Sequence, residues 1–211
     1  MAFGAAVGLL AHSEFAMSAI HDEGSEELKQ KILIPAMRGE VILALGITEP
    51  GFGSNVAGLE TTAKKVQNGY LLNGSKMFIT NGSRADFVVT AARTGDHGAA
   101  GISLIAVPTQ TKGYTIGKKL NKIASRSSDT AELFFEDCHM PSHYLLGEEN
   151  KGFGYILKHF QSERLVLAAF ANGLMQVIYE EGVNYGRQRE VFGKAITKHQ
   201  VWRHRLANVL M

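Results

Sequence analysis

Residues 43 to 147 carry short apolar runs separated by glycines and polar turns, which is the pattern of consecutive β-strands. The runs follow one another too closely for crossover helices, so an antiparallel sheet or small barrel is favoured over a parallel sheet. We predict a hairpin across Asn73-Gly74, because both residues tolerate positive φ. The predicted strands cover residues 70–72, 76–80, 87–92, 102–107 and 131–135.

Helical periodicity flanks this segment on both sides. Residues 26–37 place apolar side chains at helical spacing, with Ser25 as the expected N-cap. Residues 152–189 return to helical spacing, with a broad apolar face. A further helix is predicted to begin near Thr197 and to continue to Met211 without a capping residue.

These changes of pattern predict an α+β multidomain fold with three parts. Residues 1–42 form the end of a helical N-terminal segment, residues 43–150 a middle antiparallel β-domain, and residues 151–211 the start of a C-terminal helical bundle. The last helix begins without a partner to pack against, which suggests that the chain is part of something longer.

Composition narrows the class of protein. The 211 residues carry a formal net charge of +2 and are 45% hydrophobic, which is ordinary for a globular chain and indicates no nucleic-acid partner. Residues 1–19 are apolar but lack a basic leader, so we expect a packed helix rather than a signal peptide or membrane span. The single cysteine, Cys138, fits a reducing compartment. The eight histidines show no metal-ligand spacing, so no metal is predicted.

The segment 45–55 contains three glycines and a proline, with Thr48 and Ser54 offering hydroxyls at either end. Such a loop presents backbone N–H groups and hydroxyls to a planar polar edge or an anion. A glycine-rich turn without a ligand would have the same composition. The spacing is not that of a dinucleotide-binding fingerprint.

Glu163 is the acid with the strongest chemical interest. On a helix its neighbours at three and four residues are His159, Phe160, Val166 and Leu167, and three of these are apolar. Burial in such a stripe would raise the pKa of the carboxyl and make it a better proton acceptor. A structural ion pair or a solvent-exposed position is an equally open interpretation.

Residues 189–194, Arg-Glu-Val-Phe-Gly-Lys, combine a planar cation with a turn. Arginine can donate two charge-assisted hydrogen bonds to a pyrophosphate. Taken alone, the segment is better explained as the loop that ends a helix.

Three segments in order resemble the signature motifs of the acyl-CoA dehydrogenase family: residues 46–55, residues 76–82, and residues 189–194 followed by Gln200. The resemblance covers essentially the whole chain and implies an FAD cofactor. It implies flavin contacts from Leu45, Ile47, Thr48, Gly53, Ser54, Phe78, Ile79, Thr80, Arg189, Phe192 and Gln200.

The resemblance also implies a substrate and a base. The reaction would be α,β-desaturation of an acyl-CoA thioester, with Glu163 as the base in a Glu-Arg-Leu context similar to the long-chain and isovaleryl branch. Ser54, Gln161, Ser162 and Arg164 would contact the acyl-CoA. Gln161 replaces an aspartate common in several branches, and Gly154 replaces an aromatic residue of the long-chain type.

The implied assembly is a homo-oligomer, a dimer of dimers in which Arg189, Phe192 and Gln200 reach the flavin of an adjacent subunit. An electron-transfer flavoprotein would accept the electrons, in the mitochondrial matrix of a eukaryote or the cytoplasm of a bacterium. Two alternatives are an acyl-CoA oxidase or flavin monooxygenase on the same scaffold, and a non-catalytic flavin-fold fragment. We expect the isolated 211 residues to turn over poorly.

Overall fold

The first helix packs against the sheet through polar links as well as apolar contacts. In the computed structural model, which describes residues 3–210, helix α1 spans Phe3–Glu23, with a π-helical segment at Ala11–Met17. His12 accepts from the Leu43 amide at 3.0 Å and lies 3.2 Å from the Ala36 carbonyl, while Asn81 donates to the Gly8 carbonyl at 2.8 Å. Helix α1 is long and apolar enough to cross a membrane. Core helices of soluble proteins can have the same length and hydropathy.

The second helix, α2, has three consecutive segments, Glu26–Leu28, Lys29–Leu33 (π-helical) and Ile34–Met37. The Ser25 hydroxyl accepts from the Leu28 amide at 3.3 Å, which confirms the predicted N-cap. Gly39 follows the helix with a φ of 75°, a conformation that closes the turn at little cost for glycine.

A central eight-stranded sheet follows, as the pattern of residues 43–147 predicted. The strands are β1 Leu43–Gly46, β2 Thr62–Val66, β3 Gly69–Thr80, β4 Phe87–Arg93, β5 Ile102–Pro108, β6 Tyr114–Lys119, β7 Thr130–Pro141 and β8 Leu145–Leu146. Their spatial order is β6-β7-β3-β2-β4-β5-β8, with β1 pairing alongside β4. Most pairings are antiparallel, whereas β1 runs parallel to β4, and β2 and β4 share one parallel bridge.

The predicted hairpin across Asn73-Gly74 is wrong. Residues 69–80 form one strand, and the turn lies before that strand, where Val66 pairs with Gly69 and Asn68 has a φ of 65°. Asn73 and Gly74 instead form a bulge opposite β7, where the Asn73 side chain exchanges hydrogen bonds with Asp137 at 2.9 and 3.0 Å. The bulge lets the ladder continue, so residues that tolerate a turn are used to bend a strand.

The chain divides into two compact units, Met1–Glu163 and Arg164–Met211. Helix α3 spans Gly152–Gln188, and α4 spans Gln200–Leu210; Met211, to which the last helix was predicted to extend, lies outside the described residues. Between them β9 Glu190–Val191 and β10 Lys194–Ala195 form a hairpin. The predicted apolar face of α3 is only partly buried, since Ile156 is covered while Leu157 and Leu167 are about half exposed.

A buried ion pair joins β3 to the loop that follows β1. Lys76 Nζ lies 2.8 Å from Glu49 Oε1 and donates to the Ile47 carbonyl at 3.1 Å. Glu49 also accepts from the amides of Glu60 at 2.6 Å and Thr61 at 3.0 Å. Burial lowers the pKa of Lys76 to about 8. Burial alone would raise the pKa of Glu49, but Lys76 and the donated hydrogen bonds outweigh it and lower that pKa.

We expect Lys76→Met to lower the free energy of unfolding by about 3–5 kcal/mol, because Glu49 would remain buried without its cation. The double variant Lys76→Met/Glu49→Gln should lose less than the sum of the two single variants. Urea unfolding of the four proteins measures this coupling. Lys65→Met is the matched control, since Lys65 makes a 2.8 Å ion pair with Glu149 at the surface and should matter little. If the two single variants lowered the free energy of unfolding additively, Lys76 and Glu49 would not stabilise each other.

Candidate active site

One cavity of about 250 Å³ lies where α1, the end of β1, the end of β3 and the start of α3 meet, within the unit Met1–Glu163. Seven of the predicted site residues line it together. The cavity is lined by Ala11, Phe15, Leu45, Ile47, Thr48, Phe78, Ile79, Thr80, Phe160 and Glu163.

The loop after β1 is held in place by a backbone hydrogen bond and close packing as well as by the Lys76–Glu49 ion pair. β1 ends at Gly46, which is buried and has Val88 Cγ1 only 3.0 Å from where a Cβ would stand. The Thr48 carbonyl then accepts from the Met77 amide at 2.8 Å, which fixes the loop against β3. Leu45, Ile47 and Thr48 therefore face the cavity from a rigid position.

Phe78 enters the cavity through an irregularity in β3. The pairing of β3 with β7 shifts register between Lys76 and Ile79, and within this bulge Phe78 has a φ of 63° and is 57% exposed. A bulky residue at positive φ is strained, and such strain concentrates at functional sites. The bulge turns the aromatic ring away from the core, where strand alternation alone would have predicted a structural role.

Glu163 is the acidic side chain of this cavity. Its carboxylate is more than half buried, and Oε1 has no hydrogen-bond partner among residues 3–210. Burial raises the pKa of Glu163 to about 7. Within residues 3–210 no charged partner contributes to the pKa of Glu163, and its side chain is neither fully buried nor fully exposed. The role of Glu163 stays a prediction.

The remaining predicted residues lie elsewhere. Gly53 and Ser54 are exposed in the loop after Glu49, and Gln161 and Ser162 are exposed on α3, outside the cavity lining. In the second unit, described by itself, Arg164, Arg189 and Gln200 are exposed. There the hairpin turn holds Phe192 at a φ of 54° and 92% exposure, with its ring 6.3 Å from that of His199.

Several residues around the cavity were not predicted from the sequence. Ala11 and Phe15 belong to α1, whose role at the site is not visible in any local motif. Lys76 lies in a strand motif, and its charge inside an apolar run was the available signal. The partner of that charge, Glu49, lies 27 residues away, so spacing alone could not identify it.

Asp22, Glu23 and His159 also come together, with one potential ligand atom from each within 4.8 Å of the others. Lys158 Nζ already pairs with both carboxylates, at 2.8 Å to Asp22 and 3.3 Å to Glu23. The ammonium group of Lys158 thus balances part of the negative charge of this cluster. The sequence-based expectation of no metal stays a prediction.

Comparison with known proteins places the chain in a family. Residues 44–138 match the family model for the acyl-CoA dehydrogenase middle domain, and residues 150–211 match the model for the acyl-CoA dehydrogenase C-terminal domain. The long-chain specific acyl-CoA dehydrogenase of Sus scrofa, a mitochondrial protein, is 45% identical over 206 residues, which cover 96% of this chain and 48% of that protein. The chain thus spans about half the length of the curated relatives it matches.

Solved structures agree in fold. A probable acyl-CoA dehydrogenase from Mycobacterium abscessus superposes with a TM-score of 0.96 at 40% identity, covering 99% of this chain and 55% of that one. The FAD complex of PigA superposes with a TM-score of 0.92 at 31% identity, covering 98% of this chain and 54% of that one. With both domain models matched in order and the same fold recovered, the chain belongs to the acyl-CoA dehydrogenase family.

Proposed function

We propose that this chain carries the central part of an FAD-dependent acyl-CoA dehydrogenase, which desaturates an acyl thioester between its α and β carbons. One observation supports this most strongly. The buried carboxylate of Glu163, without a hydrogen-bond partner at Oε1 in the described part of the chain, shares a cavity with six residues predicted to hold the flavin.

Removing the weakly acidic α-proton of a thioester requires a positioned base with suitable proton affinity. Glu163 meets this requirement, since its pKa of about 7 lies near neutral pH. The apolar rings of Phe15 and Phe160 line the same cavity and limit the water that could stabilise the charged carboxylate. Glu163 would therefore accept the α-proton.

The residues around the cavity fit a flavin. The exposed ring of Phe78 offers a stacking surface, and the Thr48 and Thr80 hydroxyls offer hydrogen bonds to a polar ring edge. FAD, when bound, supplies the oxidation by taking up the β-hydride. Exposed Ser54, Gln161, Ser162 and Arg164 would contact the acyl-CoA.

We also propose that the protein assembles as a dimer of dimers. Arg189, Phe192 and Gln200 would contact the flavin nucleotide of an adjacent subunit, which would explain the high exposure of Phe192. An electron-transfer flavoprotein would reoxidise the cofactor. The compartment would be the mitochondrial matrix of a eukaryote or the cytoplasm of a bacterium.

We expect Glu163→Gln in the holoenzyme to abolish anaerobic bleaching of the flavin by acyl-CoA, because the amide cannot accept the α-proton. Glu181→Gln, at an exposed position on the same helix, should bleach like the unchanged protein. The loss should be at least about 100-fold in the rate of bleaching. Undiminished bleaching in Glu163→Gln would show that Glu163 is not the base. Rapid peroxide formation by the holoenzyme under air would favour an oxidase or monooxygenase.

The rate of bleaching should rise with pH through about 7 and then level off. Glu163 has a raised pKa, so it is protonated and inactive below this value and ionised above it. Stopped-flow absorbance across this pH range, with substrate in excess, measures the profile. A rate that stays constant or falls as pH rises through neutrality would contradict the assignment.

Substitutions at Phe78 should separate backbone strain from flavin contact. Phe78→Gly and Phe78→Ala both remove the ring, and both should weaken FAD binding by about tenfold at most, the value of one aromatic contact. Of the two, only glycine adopts a positive φ without steric cost. The apo form of Phe78→Gly should therefore be about 1 kcal/mol more stable than that of Phe78→Ala.

Phe78→Trp is the matched control, because it keeps an aromatic surface and should keep FAD affinity. Fluorescence titration with FAD and thermal unfolding of the apo proteins measure the two effects. Unchanged FAD affinity in both the glycine and the alanine variants would show that the ring does not contact the flavin.

A further inference from the structure

A second, much smaller cavity adjoins Glu163 on the inner side of the site. Its volume is about 10 Å³, close to the minimum needed for a single water molecule. It shares Phe15, Leu45, Ile47, Phe160 and Glu163 with the larger cavity. Its other lining residues are Ala19, Leu104, Ile156 and His159.

The two polar residues of this inner cavity each carry an unsatisfied atom. His159 Nε2 and Glu163 Oε1 are both buried and have no hydrogen-bond partner within residues 3–210. The residues are four positions apart on α3, which places their Cβ atoms about 6 Å from each other. A single water between the two side chains would satisfy both atoms.

His159 also adjoins a charged cluster that reaches the surface. One of its ring nitrogens lies within 4.8 Å of carboxylate oxygens of Asp22 and Glu23 on α1. His159 itself is only 6% exposed, whereas Asp22 is exposed and is paired with Lys158 at 2.8 Å and with His21 at 2.7 Å. The imidazole therefore lies between the buried base and a solvent-exposed acid.

The protonation of His159 suits a transfer role. Burial lowers its pKa, with Asp22 and Glu23 opposing that shift and Lys158 adding to it. The ring is thus neutral near pH 7 and can accept a proton at one nitrogen while releasing one from the other.

We propose that His159 is a relay residue that acts through Glu163, carrying the substrate proton from the buried carboxyl group to Asp22 and Glu23 and on to solvent. This rests on the proposed function. Once Glu163 has taken the α-proton it is a neutral acid. It donates that proton through one water to the imidazole, which becomes imidazolium beside the two carboxylates and then loses a proton to the exposed cluster. Glu163 thereby returns to its carboxylate form.

Exchange of the α-hydrogens of acetyl-CoA with D₂O, followed by mass spectrometry, isolates this proton transfer. Acetyl-CoA has acidic α-hydrogens but no β carbon, so it can lose a proton to Glu163 but cannot be desaturated. Exchange requires the proton on Glu163 to be replaced from solvent before it returns to the substrate. The holoenzyme is compared with His159→Leu, His159→Gln and Glu163→Gln, with the exposed His139→Gln as control.

Both His159 variants should exchange at least about tenfold more slowly than the unchanged protein, while His139→Gln should exchange normally. Single-turnover bleaching by a longer acyl-CoA should persist in both, because the first proton abstraction needs only Glu163. Glutamine tests the alternative of a purely positional role, since it can hydrogen-bond to the water but does not titrate near neutral pH. Retained flavin and a normal thermal transition show that the variants are folded.

Exchange at the normal rate in His159→Leu, or full recovery in His159→Gln, would overturn the relay. So would a holoenzyme that bleaches with acyl-CoA but exchanges no deuterium into acetyl-CoA, because the proton would then have no exit. A holoenzyme that neither bleaches nor exchanges would instead refute the proposed function itself.

Discussion

The ion pair between Lys76 and Glu49 is the interaction on which the site depends. It ties the bulged end of β3 to the loop after β1, and the same ammonium group donates to the Ile47 carbonyl. Ile47 and Thr48 on one side and Phe78 on the other are thus fixed relative to each other. A buried pair of this kind adds little net stability, but removing one partner is costly, so the geometry tolerates little variation. The loop is glycine-rich in sequence and is nevertheless held rigidly at its base.

Glu49 and Glu163 show how the environment of a carboxylate sets its pKa. Glu49 is surrounded by Lys76 and two backbone amides, which outweigh burial and lower its pKa. Glu163 has burial without a compensating partner in the described chain, and its pKa rises to about 7. The Glu49 carboxylate holds two segments of the fold together and stays ionised. The Glu163 carboxylate can exchange a proton near neutral pH, which is the property that acid–base catalysis requires.

The sequence correctly predicted features that depend on residues close together in the chain. Ser25 caps its helix as expected, because the cap involves an amide only three residues away. Helical periodicity left burial, an ion pair and solvent exposure of Glu163 equally open, because the chain that packs against that helix face is distant in sequence. The hairpin at Asn73-Gly74 was misplaced because a bulge uses the same residues as a turn, and the length of the opposing strand β7 decides between the two. The Lys76–Glu49 pair and the contribution of Phe15 depend on contacts between distant segments, which no single motif records.

Phe78 and Phe192 share a feature that folding alone does not explain. Each is an aromatic residue at positive φ, one in a strand bulge and the other in a two-residue hairpin turn, and each leaves most of its ring exposed. Glycine or asparagine would occupy such positions at lower conformational cost, and an exposed ring recovers little of that cost by burial. A contact from outside the unit that holds each ring would compensate this cost. A flavin against Phe78, and the nucleotide of a neighbouring subunit's flavin against Phe192, would each supply it, so the strain is itself an argument for the proposed assembly.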